Sequence, residues 1–312
     1  MQTILGAGGA IGIPLAKELS SYTNKVRLVA RNPKKINETD ELFAGDITGK
    51  DFVNKAVAGS EVVYLTVGLA YNIKVWKHQW PVIMANTIDA CILHHAKLVF
   101  VDNVYAYLKN EVAHMTEDSR IAPETKKGKV RAQLIQMIED AIKNRNLTAI
   151  IARSADFYGA DAKTSLLQIS VVDKFKKGQK AFWQSDASKI HSFTYTPDAA
   201  KAIAILGNTP EAYNQTWHLP TSSERWTGRE FIKFIAEEMN VKPKYFILTK
   251  TLIGLTGIFS PVVKELYEMQ YQNNQDYFFD SSKFEKQFSF TPTNYAKGIK
   301  EILHSENIAK DK

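Results

Sequence analysis

The 312-residue sequence is short of several features that would assign it quickly. It has one cysteine, Cys91, so an internal disulfide framework cannot form and a reducing compartment suits the chain. The ordinary place for that thiol is a buried helix position. No Gly-x-Ser-x-Gly occurs, which removes the nucleophile elbow of a serine hydrolase. His94 and His95 are adjacent rather than at helical ligand spacing, and His114, His191, His218 and His304 are scattered, so no metal is expected. The apolar stretch Leu252 to Val263 comes nearest to a membrane segment, but it is too short to span a bilayer and contains Pro261. A basic leader before an apolar core is lacking too, because glycines interrupt the apolar start. The expectation is a cytoplasmic protein with no membrane partner.

Charge gives little direction. Forty Lys and Arg against 33 Asp and Glu leave a net charge of +7, yet the cations are spread along the chain, and nucleic-acid binding does not follow. Hydrophobic residues at 45% and charged residues at 23% are ordinary for a globular protein, and the length suits one large or two modest domains.

What is present begins at the first residues. Met1-Gln2-Thr3-Ile4-Leu5 reads as a short buried strand running into Gly6-Ala7-Gly8-Gly9-Ala10-Ile11-Gly12, and Ile11 to Leu19 carries apolar residues at helical spacing. Glycines at 6, 9 and 12 let the turn tighten, let backbone approach a pyrophosphate, and let the helix pack closely on the sheet. The amides at the start of that helix then face the phosphates. Gly6, Gly8, Gly9, Ala10, Ile11 and Gly12 are therefore candidate dinucleotide contacts.

The second strand, Lys25 to Val29, ends in Ala30-Arg31-Asn32-Pro33-Lys34-Lys35, with no carboxylate between Glu18 and Glu38. An NAD site places an acidic residue about 20 positions after the glycines, whereas an NADP site accepts a cation there. Arg31, flat and forked, suits both an adenine and a 2′-phosphate, so NADP is favoured over NAD.

Further short apolar runs follow at Glu41 to Ala44, Val62 to Leu65, Lys97 to Val101 and Thr148 to Ile151, separated by amphipathic stretches. This alternation predicts an α/β fold, a Rossmann-type doubly wound parallel sheet, with ligand residues beyond the C-terminal strand ends. After about residue 160 the character changes. Residues 161–312 read as a smaller, helix-rich substrate domain after a dinucleotide-binding domain at 1–160, with 191–218 returning to the first. Thr196-Pro197-Asp198 predicts a helix start with Thr196 as N-cap, and Thr227 to Met239 and Asn294 to Leu303 predict amphipathic helices.

Together these residues resemble the extended short-chain dehydrogenase/reductases, the group of nucleotide-sugar epimerases, dehydratases and related reductases. The resemblance covers nearly the whole chain. It rests on Gly6-x-x-Gly9-x-x-Gly12, on Gly45-Asp46-Ile47 where the family touches adenine, and on Val67-Gly68 after the fourth strand. It continues through Arg153-Ser154-Ala155-Asp156-Phe157-Tyr158-Gly159 and His191 to Asp198. It implies cofactor contacts at Asp46, Ile47, Val67 and Gly68. It also implies a homodimer through the helices at Trp76 to His94 and Lys129 to Lys143, and makes Lys176, Lys177, Lys180 and Lys189 available to a substrate diphosphate.

The departure from the family is as informative. Its chemistry uses a tyrosine four residues before a lysine on one helix, and here those positions hold Lys127 and Arg131; Asn103 stands where a serine or threonine would bind the substrate oxygen. Three readings stay open. Lys127 acts as the acid, its pKa lowered by Arg131 and a dry pocket. Tyr105, Tyr107 or Tyr158 supplies the phenol from a strand-end loop. Or the site binds cofactor without redox chemistry. Asp156 and His191 join Tyr107 and Tyr158 as candidate substrate contacts, and Phe193, Tyr195, Trp217 and Trp226 are available to wall a pocket. The resulting expectation is an NAD(P)-binding oxidoreductase or epimerase/dehydratase acting on a small polar substrate, such as a sugar nucleotide. The alternative is a dinucleotide sensor without catalysis.

Overall fold

β1 (Gln2–Leu5) is buried at every position, as a strand with parallel neighbours on both edges and helices on both faces must be. The computed structural model describes residues 1–249, 251, 265 and 267–308; the apolar stretch Leu252 to Val263 lies outside the described residues. β1 pairs with β2 (Val26–Ala30) on one side and β4 (Val62–Leu65) on the other. Beyond β2 lies β3 (Glu41–Ala44), and beyond β4 lie β5 (Lys97–Asn103), β6 (Ala149–Ser154) and β10 (Gln215–His218). The spatial order is β3-β2-β1-β4-β5-β6-β10, and every pairing is parallel. The order reverses between β1 and β4, which opens a crevice at their C-terminal ends.

Alternate residues of each strand feed two cores. Leu5, Val29, Val63, Leu98, Phe100 and Ile151 meet α2 (Lys50–Val57), α3 (Ile73–Leu93) and α4 (Lys126–Arg145). Ile4, Leu28, Tyr64, Val99 and Ile150 meet α1 (Gly12–Leu19) and α6 (Thr196–Gly207). Each fully buried aliphatic side chain contributes about 1.5–3 kcal/mol, so both faces resist unzipping. Cys91 is buried in α3, and burial pushes its thiol well above the usual range.

Local chemistry sets the helix starts. The Asn72 side chain accepts from the amides of Lys74 and Val75, which begins α3 at Ile73, and Thr125 accepts from the amide of Gly128, which begins α4 at Lys126. The start at Thr196 differs from expectation. Tyr195 is the N-cap and Thr196 already helical, because the last residue of β9 (Phe193–Tyr195) turns directly into α6 without a capping side chain. Thr196 instead fills the space beneath Gly159, which has no Cβ to obstruct it.

In the second half, β7 (Asp156–Tyr158) pairs with β9 and β8 (Ala181–Gln184) with β11 (Tyr245–Leu248), both parallel. A π-helical turn, Gln168–Val172, leads into the short α5 (Asp173–Lys176). α7 (Gly228–Glu238) opens with a capping box in which Thr227 and Glu230 satisfy each other's backbone amides. α7 and α9 (Tyr295–Ile308) enclose Trp183, Phe193, Phe231 and Tyr295, while α8 (Ser282–Phe288) returns Phe284 to the sheet beside Trp217. The aromatics expected to wall a pocket mostly serve these cores. Phe193 and Trp217 are buried, Trp217 donates to the Ala212 carbonyl, and Tyr195 donates to Glu301.

Candidate cofactor and substrate site

The turn after β1 lies against the loop after β4. Gly6 has φ +103°, and a Cβ on it would lie 2.6 Å from the backbone of Val67; one on Gly12 would lie 2.7 Å from the Gly6 carbonyl oxygen. Only glycine fits either place. Gly8 and Gly9 differ, since both are exposed and a Cβ on Gly8 would meet nothing within 4 Å. The Gly9 amide donates to the Gly6 carbonyl at 3.4 Å and tightens the turn, whereas Gly8 faces open space ahead of α1, whose N-terminus has neither a capping side chain nor an acidic residue in its first turn. That arrangement leaves amides free for an anion, and the residues present fit a dinucleotide pyrophosphate.

Arg31 is exposed one residue beyond β2, and Asp46 is exposed two residues beyond β3. Hydrogen bonds from Thr48, with the Arg31 charge adding, hold the Asp46 carboxyl below its usual range. Ile47 is buried beside them. The structure thus collects Arg31, Asp46, Ile47, Val67 and Gly68 at the C-terminal ends of β2, β3 and β4.

At the ends of β5 and β6 the candidate residues separate. Asn103 uses its side-chain oxygen to accept from the Tyr105 amide at 3.0 Å. Tyr105 stacks on Trp76, and its hydroxyl meets that of Tyr71 at 3.4 Å. Burial, with the phenol of Tyr71 and the carboxylate of Asp156 adding, holds the Tyr105 phenol well above its usual range, so it is a proton-bearing donor and no phenolate. Asp156, a third exposed, pairs with His191 at 2.9 Å, and His191 stacks on Tyr277 with ring centroids 4.3 Å apart.

Tyr107 and Tyr158 point elsewhere. The Tyr107 hydroxyl lies 2.6 Å from His218 Nε2, and burial pushes this phenol up to about 12. Tyr158 lies in the core of the second half among Phe193, Tyr195 and Tyr295, with its hydroxyl unpartnered among the described residues. Neither lies beside Asp156 and Tyr105 as a free hydroxyl.

The surroundings expected for Lys127 are corrected as well. Arg131 turns to Asp102, with Nε at 2.7 Å and Nη2 at 2.6 Å, and is held between the rings of Trp80 and Phe100. Arg153 reaches the other oxygen of the same buried carboxylate at 3.2 Å. Lys127 is fully buried and pairs with Glu265 and with Glu268, the latter at 2.9 Å. Sequence reading missed Glu265 and Glu268 because they lie some 140 positions downstream with no spacing that marks them. It also missed Tyr71 and Tyr277, two of the chain's 13 tyrosines.

The parallel sheet, the strand-order reversal and the glycine turn define a dinucleotide-binding α/β protein. Residues 3–218 match the NAD dependent epimerase/dehydratase family, and the chain belongs to it. Among solved structures it is similar to the dTDP-glucose 4,6-dehydratase of Bacillus anthracis str. Ames in complex with NAD, with TM-score 0.81, 15% identity, and coverage of 99% of this chain and 97% of that one. It is similar also to the UDP-glucose 4-epimerase of Thermotoga maritima with UDP-glucose, at TM-score 0.81, 15% identity, and coverage of 99% and 100%. A third is the UDP-N-acetylglucosamine 4-epimerase of Methanobrevibacter ruminantium M1 in complex with UDP-N-acetylmuramic acid, at TM-score 0.80, 16% identity, and coverage of 99% and 98%. At such identities the likeness is one of fold. No curated protein sequence matches the chain.

Proposed function

We propose that this chain is an NAD(P)-dependent oxidoreductase or epimerase/dehydratase that prefers NADP and acts on a small polar substrate such as a sugar nucleotide. The observation that carries the reading is the exposed glycine turn, with the open backbone of Gly8 ahead of the uncapped α1. In this reading Gly6 to Gly12 hold the pyrophosphate, Val67 and Gly68 border it, Asp46 and Ile47 lie at the adenine, and Arg31 takes the 2′-phosphate. The nicotinamide, when bound, supplies or accepts a hydride.

The chain's own residues handle the substrate and the proton. Asn103, Tyr105 and Asp156 stand at the ends of β5 and β6, where a ligand in the crevice would meet them. The protonated phenol of Tyr105 donates to a substrate oxygen, and Asp156, braced by His191, holds a substrate hydroxyl. Lys127, enclosed by two carboxylates, anchors structure and transfers no proton.

A specific observation favours a second reading, a dinucleotide sensor. The position that carries the family's phenol is an ammonium locked by Glu265 and Glu268. Titration with NADPH and NADH by nicotinamide fluorescence, followed by its decay with carbonyl compounds and sugar nucleotides, separates the two. Tight NADPH binding with decay on one compound is the expected result. Tight binding without decay on any establishes the sensor, and no binding of either cofactor rejects both readings.

A further inference from the structure

Lys127 is the second residue of α4, yet its side chain has no exposure to solvent. Its ammonium donates to Glu265, to Glu268 at 2.9 Å and to the Glu265 carbonyl at 3.1 Å, and lies 4.6 Å from the centre of the Tyr71 ring. Both carboxylates also reach past it. Glu265 Oε1 accepts from the amide of Ile73, first residue of α3, at 3.2 Å, and Glu268 Oε2 accepts from the amide of Lys126, first residue of α4, at 2.9 Å. One cation therefore holds two carboxylates, and the cluster carries a net −1. Asp156 adds a third negative charge near enough to act on Tyr71 together with Glu265 and Glu268. With this contact made, the negative charge of the cluster disfavours an anion at Lys127 itself.

We propose that Glu265 and the 3₁₀ turn Tyr267–Gln272 form an electrostatic latch over an oxyanion site made of the Lys127 ammonium and the amides of Ile73 and Lys126. Closed, the cluster is −1; open, with both glutamates withdrawn, it is +1. The phosphoryl or carboxylate group of an anionic substrate binds the open form alone, so its differential affinity is what shifts the population. The two glutamates already show the chemistry, because each sets one oxygen on Lys127 and the other on a helix-end amide. The chain thus carries its own competitor for the site. This inference rests on the reading of the cleft as the substrate site, but its test needs neither cofactor nor turnover, so the two can fail separately.

The test reads the reactivity of Lys127 toward an amine-acylating reagent, by peptide mass spectrometry on the full chain, with exposed Lys129 as the internal standard. In the wild type Lys127 should react at least tenfold more slowly than Lys129. In Glu265→Gln/Glu268→Gln its rate should rise at least tenfold, and inorganic pyrophosphate or citrate should restore protection. Glu268→Gln alone should give an intermediate rate, and it serves in the same assay if the double variant does not fold. Lys127 as slow in a folded variant as in the wild type overturns the latch. A rise in rate that neither anion reverses overturns the oxyanion site.

Discussion

Tyr107 donates its hydroxyl to His218 Nε2 at 2.6 Å, and His218 in turn donates Nδ1–H to the carbonyl of Asp280 at 2.7 Å. Both ring nitrogens are used by the neutral imidazole, and the ring lies flat on Phe279. Burial, with the Arg153 guanidinium adding, lowers the His218 pKa to about 3. The unfolded chain takes up a proton near pH 6.5 that the folded chain refuses. This contribution to stability is complete above the unfolded value and is lost as pH falls toward the folded one, by up to about 1.4 kcal/mol per pH unit. Urea midpoints measured from pH 7 to pH 5 should fall in the wild type and fall less steeply in His218→Gln. Parallel slopes would mean that other groups govern acid stability.

The glycine turn gives a graded series. Gly6→Ala and Gly12→Ala force a methyl group into backbone 2.6–2.7 Å away, and each should cost about 1–3 kcal/mol in stability. Gly8→Ala places its methyl group more than 4 Å from any described residue's heavy atoms and should melt like the wild type while binding NADPH at least tenfold more weakly. Unchanged affinity in Gly8→Ala would detach the turn from the cofactor.

Arg31→Ala should weaken NADPH binding far more than NADH binding, because only the former carries a 2′-phosphate for the guanidinium. A charge-assisted pair of this kind is worth about 1.5–3 kcal/mol, or roughly ten- to a hundredfold in affinity. Equal losses for the two cofactors, read by fluorescence titration, would remove the preference for NADP.

Asp156→Asn should lower kcat/KM while the NADPH dissociation constant holds, since Asp156 stands beyond β6 and away from the glycine turn. Tyr105→Phe should lower kcat most, because the phenol carries the proton in the proposed reaction. A Tyr105→Phe enzyme with wild-type kcat would reassign that role.

Lys127→Met strands Glu265 and Glu268 without their cation. Both carboxylates retain some solvent, so the cost should be about 2–3 kcal/mol, less than for a fully buried pair. At saturating substrate kcat should persist in the fraction that stays folded, while KM for an anionic substrate rises as its oxyanion site is lost. Abolition of kcat at saturating substrate with NADPH affinity intact would restore Lys127 as proton donor.

The contrast between Gly12 and Lys127 shows which features were legible in the sequence. Gly12 is readable because the need for it is local: a strand, a tight turn and a helix in sequence leave one small volume, and only glycine fits it. The parallel sheet is readable for a similar reason, since Val62 to Leu65 and Leu98 to Val101 are apolar on both faces and separated by a helical stretch. The helix start at Thr227 follows from a side chain three residues from the amide it caps. Thr196 breaks the rule because its side chain packs beneath Gly159, which is distant in sequence.

The sequence by itself therefore determined the first six strands, the doubly wound parallel sheet class and the glycine turn, all products of short-range sterics and hydrophobic periodicity, but none of the five strands described in the second half. Tertiary structure alone decided the partners of the charged and phenolic groups. Arg131 went to Asp102, Tyr107 to His218, and Lys127 to two glutamates some 140 residues away. Burial makes an unpaired charge or hydroxyl costly, so each such group takes whatever partner the fold brings within hydrogen-bond reach, and no spacing in the chain encodes that choice.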